Sequence, residues 1–354
     1  MTINRLGIGL KPAVTPPAES INSTPYHAAL YGLISGFAIL PDQRIEPLAG
    51  NDLDTALTRS NTVVWLHFNA RIGAARDWIA RCEPLPEAAR RFLLETDDRK
   101  RLERTGDSLM GVISDIRYDF SLDFDPEQIA TLRFYLDRRC LISTRRQPSY
   151  IAGQLRTAIN TGHPFEGTAP LLIHLFKAQV SKINEITVRA RDRLDDIEDQ
   201  ALAGQIRDQQ APLGGIRRLM VRLHHHFAPE YRLLQQLCRW SLDGFGEADH
   251  AALQDVAEEF HALVDDLTET QERAKLLQEE LAARLAEQTN KNLYILSLFT
   301  ALLLPPSLIA GIFGMNVVGV PGVQDGGEMA FWWVMLGMAA VSLLVLLILY
   351  LRRF

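Results

Sequence analysis

"LYILSLFTALLLPPSLIAGIF", Leu293–Phe313, contains no charged side chain, and its reading decides the architecture. A second such run, "AFWWVMLGMAAVSLLVLLILYL", covers Ala330–Leu351. At ~1.5 Å per residue each reaches ~30 Å, the thickness of a bilayer's hydrocarbon core. Two adjacent charge-free runs of that length predict transmembrane helices over 293–313 and 330–351 rather than a buried soluble pair. Phe331, Trp332 and Trp333 open the second run, where an interfacial aromatic belt belongs.

The flanks orient the spans. Arg284 and Lys291 precede the first, Arg352 and Arg353 sit in the tail 352–354, and the connecting loop 314–329 has no Lys or Arg. By the positive-inside rule both termini are cytoplasmic and the loop faces outward. The leader 1–24, with "KPAVTPPAES", reads as a flexible polar segment and not as a signal peptide, so the large N-terminal part is expected to stay in the cytoplasm. Cys82, Cys140 and Cys238 are far apart on that reducing side and read as free thiols.

Residues 25–160 read as an α/β domain. "NTVVWLHFN" (Asn61–Asn69), "SLMGVISDIRY" (Ser108–Tyr118), "IATLRFYLD" (Ile129–Asp137) and "CLISTRRQ" (Cys140–Gln147) have strand composition, the last two joined by a tight hairpin at Arg138–Arg139. "ARDWIARC", "PEAARRFLLE" and "YIAGQLRTAIN" have helical patterning.

Residues 161–292 read as a helical bundle with a stalk. One amphipathic helix stops near Gly204, and a second ends at Gly244–Gly246. A third starts near Glu247 and meets no proline or glycine until Pro305. Leu253, Val256, Phe260, Leu263, Leu267, Ala274, Leu277 and Leu281 follow a mostly 3-4 alternation, as on a helix packed along a bundle. Unbroken to Phe313 it would be ~100 Å long, a stalk continuing directly into the first span.

Stepping by three and four from Asn290 gives Leu293, Ser297, Thr300, Leu304, Ser307, Gly311 and Gly314, which gathers the hydroxyls of the first span on one stripe. Lipid offers such a stripe no partners, so it faces protein or water. Two readings remain open: small and hydroxylated residues permit close helix packing, or stripes from several subunits surround a water-filled path with Leu293 and Leu304 as apolar constrictions. Pro305–Pro306 removes backbone donors and is expected to kink or loosen the helix there. Asp325 and Glu328 are the only charges of the outer loop; in a ring they would raise the local cation concentration, and in a single chain they are ordinary loop acids.

Asp195, Asp196, Glu198 and Asp199 on one helix, with Glu258, Glu259, Asp265, Asp266, Glu269 and Glu272 on the stalk, read as solvated faces or as a cation-concentrating funnel. His224–His226 suggest a metal, but consecutive helical residues point ~100° apart and cannot share one ion within a chain. A structural or surface role and a zinc-sensing role stay open for them. No nucleophile elbow, P-loop, HExxH or nucleotide-binding glycine motif occurs, which argues against an enzyme. With 43 acidic against 37 basic residues and no basic stripe, nucleic acid is not an expected partner.

The triplet Gly314-Met315-Asn316, at the outer end of the first of two C-terminal spans, resembles the CorA-type metal-ion transporter superfamily. The resemblance extends through "DDRKRLERTGDSLMGVISDIRYDF", read as an acidic-basic turn before a strand, then "DPEQ", another strand and "LISTRR", so that it covers about residues 60–354. "NVVGVPG" is similar to the zinc-transporting, ZntB-like branch, although Val317–Val318 stand where that branch often has glycine.

The resemblance implies a funnel-shaped homopentamer in the inner (plasma) membrane, with the first span lining a pore. By position it makes Gly314, Met315 and Asn316 the outer selectivity element, and Asn290, Leu293, Thr300, Leu304, Ser307 and Gly311 path-lining residues. It implies no cofactor; the cargo is a divalent cation, Zn²⁺ favoured, with Mg²⁺, Co²⁺ and Ni²⁺ open. A ring of Asn316 amides would hold a largely hydrated ion through its waters without trapping it, since small divalent ions dehydrate reluctantly. The alternative is a membrane-anchored cytoplasmic sensor or scaffold that transports nothing.

Overall fold

The computed structural model describes residues 32–50, 52–116, 129–204, 209–314 and 328–351. Seven strands form one sheet in the order β2-β1-β3-β7-β6-β5-β4. They are β1 (Leu33–Ile39), β2 (Ile45–Pro47), β3 (Val63–Asn69), β4 (Arg101–Thr105), β5 (Ser108–Ile116), β6 (Ile129–Leu136) and β7 (Cys140–Arg145). β3 and β7 run parallel; every other neighbouring pair is antiparallel. The β6–β7 hairpin forms as expected, and Asp137 Oδ1 closes it by accepting from the N–H groups of Arg139 and Cys140 at 2.8 Å each. Gly111 lies opposite Phe134, whose ring would stand 2.4 Å from an added Cβ, so the strand needs a glycine there.

Three strands differ from expectation. β1 and β2 are absent from the sequence reading, and the basic run read as a turn before β5 is itself strand β4. "LISGFAI" carries a glycine and a serine that dilute its strand signal, yet the sheet buries almost all of it. Charged residues dominate β4, which is exposed beyond Leu102 and forms an edge.

Short helices α1 (Leu53–Thr58), α2 (Gly73–Arg81) and α3 (Glu87–Leu94) cover one face, sharing a core with Val64, Leu66 and Phe68 of β3, Val112 of β5 and Ile142 of β7. α4 (Tyr150–Asn160) covers the other: it packs against β5, and Ile151 N–H donates to Asp115 at 3.2 Å. α5 (Thr168–Leu202) and α6 (Gln210–Cys238) follow, then α7 (Glu247–Phe313) and α8 (Glu328–Leu351). α6 ends at Cys238, short of the expected glycines: Arg239 and Trp240 N–H groups bond three residues back, tightening the last turn where the apolar seam stops at Leu237.

The described residues of Met1–Asp199 and Ala211–Lys275 form one compact unit, and those of Gln200–Gln210 and Leu276–Phe354 form a second. α7 is unbroken over 67 residues and passes through Pro305 and Pro306 without interruption. In the first unit its apolar seam is a strict 3-4 repeat: Leu253, Val256, Phe260, Leu263 and Leu267 continue through Thr270 to Ala274, all buried. Thr270 fills the polar gap by donating to Asp266 O at 2.7 Å and accepting from Arg191 of α5 at 3.2 Å.

Candidate ion path

The second unit is built from two helices long and apolar enough to cross a membrane, α7 in its C-terminal part and α8. On α7, Leu298, Leu302, Pro305 and Ile309 are partly covered and recur at helical spacing. On α8 the partly covered positions include Val334, Met338, Val341 and Val345, again one face. Asn290, Leu293, Ser297, Thr300, Leu304, Ser307, Gly311 and Gly314 are instead all exposed in the single chain. Leu293 and Leu304 show 54% and 61% of their surface, and off the stripe Leu296, Phe299, Leu303 and Leu308 show 63%, 58%, 59% and 62%, so what sets the stripe apart is its hydroxyls and not its exposure.

Three residues of the stripe come together in one cleft. Ser297, Thr300 and Leu304, with Ala301 and Pro305 of α7 and Val345 of α8, line a groove of about 510 Å³. Thr300 Oγ donates to the carbonyl of Leu296 at 2.9 Å, one turn back. Its proton is thereby committed and its lone pairs remain free to accept. Pro305 and Pro306 offer no N–H to the carbonyls of Ala301 and Leu302, which adds acceptors at the same level. An added Cβ on Gly311 meets nothing within 4 Å, whereas one on Gly314 would lie 3.1 Å from Ala310 O. Gly314 N–H still bonds to that carbonyl at 2.9 Å, continuing the helical pattern. The arrangement is therefore an acceptor-rich, uncharged surface one helix wide.

Met315, Asn316 and Asp325 lie outside the described residues, as do Arg352 and Arg353. Glu328 is the first residue of α8.

In the first unit, several acids named as a possible funnel are engaged by arginine. Arg273 on α7 contacts Asp195 and Glu198 of α5 at 2.7 and 2.6 Å, and Arg191 of α5 contacts Asp266 of α7 at 2.6 Å. His261 lies 2.9 Å from Asp265. The arginine pairs join α5 to α7, and they reduce the free negative charge available to attract ions. Of the three consecutive histidines, burial together with the charges of Lys100, His225 and Arg222 pushes His226 down to about 4, so it is neutral at physiological pH. The rings of His225 and His226 stand edge to face, 5.6 Å apart. Cys82, Cys140 and Cys238 are free thiols, and burial raises Cys82 to about 11.

A buried polar group absent from the sequence reading holds α5 and α6 to the sheet. Glu230 of α6 accepts from Ser114 N–H and from Gln179 Nε2 of α5. Burial raises the Glu230 carboxyl above its usual range. Asp115, also buried, is raised to about 7 for the same reason. The partners are 36 to 116 residues apart in the chain, so no local pattern marks them.

Comparisons with known proteins agree with this layout. The chain is 25% identical over 289 residues to the zinc transport protein ZntB of Yersinia pseudotuberculosis, covering 81% of this chain and 87% of that one. It is 27% identical over 285 residues to the divalent cation transporter CmaX of Pseudomonas aeruginosa, covering 77% and 85%. Its fold matches the structure of full-length CmaX with a TM-score of 0.77 at 24% identity, over 92% of this chain and 98% of that chain. The family model for CorA-like Mg²⁺ transporter proteins matches residues 60–353, and the chain belongs to that family.

Proposed function

We propose that this protein carries divalent cations across the inner membrane, Zn²⁺ before Mg²⁺, Co²⁺ or Ni²⁺, as a homopentamer whose α7 ends surround a central path. The observation that carries this reading is the stripe from Asn290 to Gly314. It gathers the hydroxyls of Ser297, Thr300 and Ser307 on one side of a spanning helix whose other exposed residues, such as Leu296, Phe299 and Leu303, are apolar. The Ser297 and Thr300 hydroxyls, in the groove shared with Val345 of α8, and the carbonyls freed by Pro305 and Pro306 find no partner in lipid; water in a path enclosed by further subunits would supply one.

A hydrated divalent ion presents outward-pointing water hydrogens, so it is held by acceptors. Thr300, with its proton committed to Leu296 O, is an acceptor of that kind. Asn316 amide oxygens at the outer end would act in the same way, with Asp325 and Glu328 drawing cations to the mouth. The similarity to a zinc transport protein favours Zn²⁺ as cargo. The described parts of the spans contain no Asp, Glu, Lys or His beyond Lys291 and Glu328 at their edges, which favours passive conduction over a proton relay within them. The charge pattern of the flanks supports cytoplasmic termini.

The test is Zn²⁺ and Mg²⁺ flux into liposomes containing the purified protein, with and without a pH gradient. Saturable Zn²⁺ flux that exceeds Mg²⁺ flux is the expected result. No flux of any divalent cation would leave the membrane-anchored sensor as the reading.

A further inference from the structure

At the carboxyl ends of the parallel strands β3 and β7 lies a cleft of about 560 Å³, remote in sequence from the spans. The chain leaves β3 into α2 on one face of the sheet and leaves β7 into α4 on the other. A crevice opens between such diverging connections, the place where open α/β sheets accommodate ligands. Arg71, Arg76 and Arg146 line it, together with Gln147, Thr131 and, among the described residues, a single carboxylate, Asp98.

The charge of Asp98 is already engaged. Its Oδ1 accepts from Thr131 at 3.0 Å and lies 3.5 Å from the guanidinium of Arg133, which is 4% exposed. The three lining arginines form no ion pair among the described residues. Among the described residues, Arg146 donates only to the uncharged carbonyls of Leu94 and Glu95, at 3.5 and 3.1 Å. α2 begins at Gly73 between Arg71 and Arg76, and its N-cap residue Ile72 provides no side-chain acceptor, leaving its positive end uncapped.

We propose that this cleft binds a small polyphosphate anion, either pyrophosphate or the phosphate chain of a nucleotide. Planar guanidinium groups pair bidentately with phosphate oxygens, and three converging on one cavity match a multiply charged chain rather than a single carboxylate. The volume falls in the range of small-molecule sites. Cation transport through the spans is not required for it.

Full-length protein in detergent, with EDTA present so that metal binding contributes nothing, is titrated calorimetrically with pyrophosphate and with ATP at low salt. The expected result is one binding event per chain, weakened at least about tenfold in Arg71→Ala and in Arg76→Glu. Arg59→Ala, which removes an exposed arginine paired with Glu46 elsewhere on the same unit, is expected to leave it unchanged. Equal affinity for both ligands assigns the site to the phosphate chain alone, and a clear preference for ATP assigns it to a nucleotide. Absence of binding by either ligand overturns the proposal. So does an equal loss in Arg59→Ala, which would mean diffuse surface attraction. Arg76 is exposed and its side chain is not needed to hold a neighbouring strand, so its variant tests binding without threatening the fold.

Discussion

Gln179 Nε2 lies 2.6 Å from Glu230 Oε2 and 2.7 Å from the carbonyl of Ser114, all of them buried. β4 pairs with β5 only as far as Val112, so the N–H and C=O of Ser114 on that side have no strand to bond. Glu230 accepts from the N–H and Gln179 donates to the C=O, so two side chains from α6 and α5 replace the missing strand. Removing Gln179 strands a carbonyl and a carboxylate together. Gln179→Leu is expected to cost about 2–4 kcal/mol, read as a lowered denaturant midpoint. Glu230→Gln keeps one acceptor but sets a new N–H donor against Gln179 Nε2 or Ser114 N–H, and is expected to cost about 1–3 kcal/mol; no loss in either variant would refute the arrangement.

Asp115 supplies a pH dependence. Its carboxyl is raised to about 7 by burial, above the ~3.9 of an unfolded aspartate. The native state therefore holds a proton that the unfolded state has released, and stability falls as pH rises from ~4 to ~7. Asp115→Asn is expected to flatten that slope, leaving the variant more stable than the parent at pH 8 by at most ~4 kcal/mol. Thermal unfolding across that range measures it; parallel curves for parent and variant would contradict the burial of an ionising group.

Thr300 tests the path. Thr300→Val keeps shape and removes the oxygen, whereas Thr300→Ser keeps it. If the oxygen meets a hydrated ion, the valine variant loses about 3–10-fold in Zn²⁺ flux and the serine variant retains it. If Thr300 only packs in the groove with Val345, both variants transport alike.

Gly311 offers a steric test. Nothing stands within 4 Å of its added Cβ, so Gly311→Val is expected to leave the folded chain intact, with a gain of ~0.4 kcal/mol in helix propensity. In a ring of subunits the same methyl groups would crowd the path, and flux should drop while assembly and melting temperature hold.

The outer loop separates attraction from selection. Asp325→Asn with Glu328→Gln should lower flux at low ionic strength and recover at high salt, because salt screens exposed charges. Asn316→Ala should instead change the Zn²⁺-to-Mg²⁺ ratio at every ionic strength. Unchanged preference in that variant would remove Asn316 from the selection step.

What the residues determine by themselves is whatever depends on a local period. Two charge-free runs, the 3-4 seam of α7 and the alternation within β3, β5, β6 and β7 are all written in neighbouring positions, and those elements form where the pattern places them. The stripe has the same local origin, since helical spacing alone puts Asn290 and Gly314 on one side. Tertiary structure decided the rest. "LISGFAI" becomes an interior strand because β3 and β2 bond to both its edges, and "RLERT" becomes an edge strand because β5 offers it a partner. Thr270 holds a core position with its hydroxyl satisfied from two sides, by Asp266 O one turn back and by Arg191, which reaches it from α5. Glu230 and Gln179 look like ordinary polar helix residues until folding brings an unpaired strand edge between them. Burial, and with it the sign of a pKa shift, depends on contacts such as those of Glu230, 51 and 116 residues away, and no window of sequence contains them.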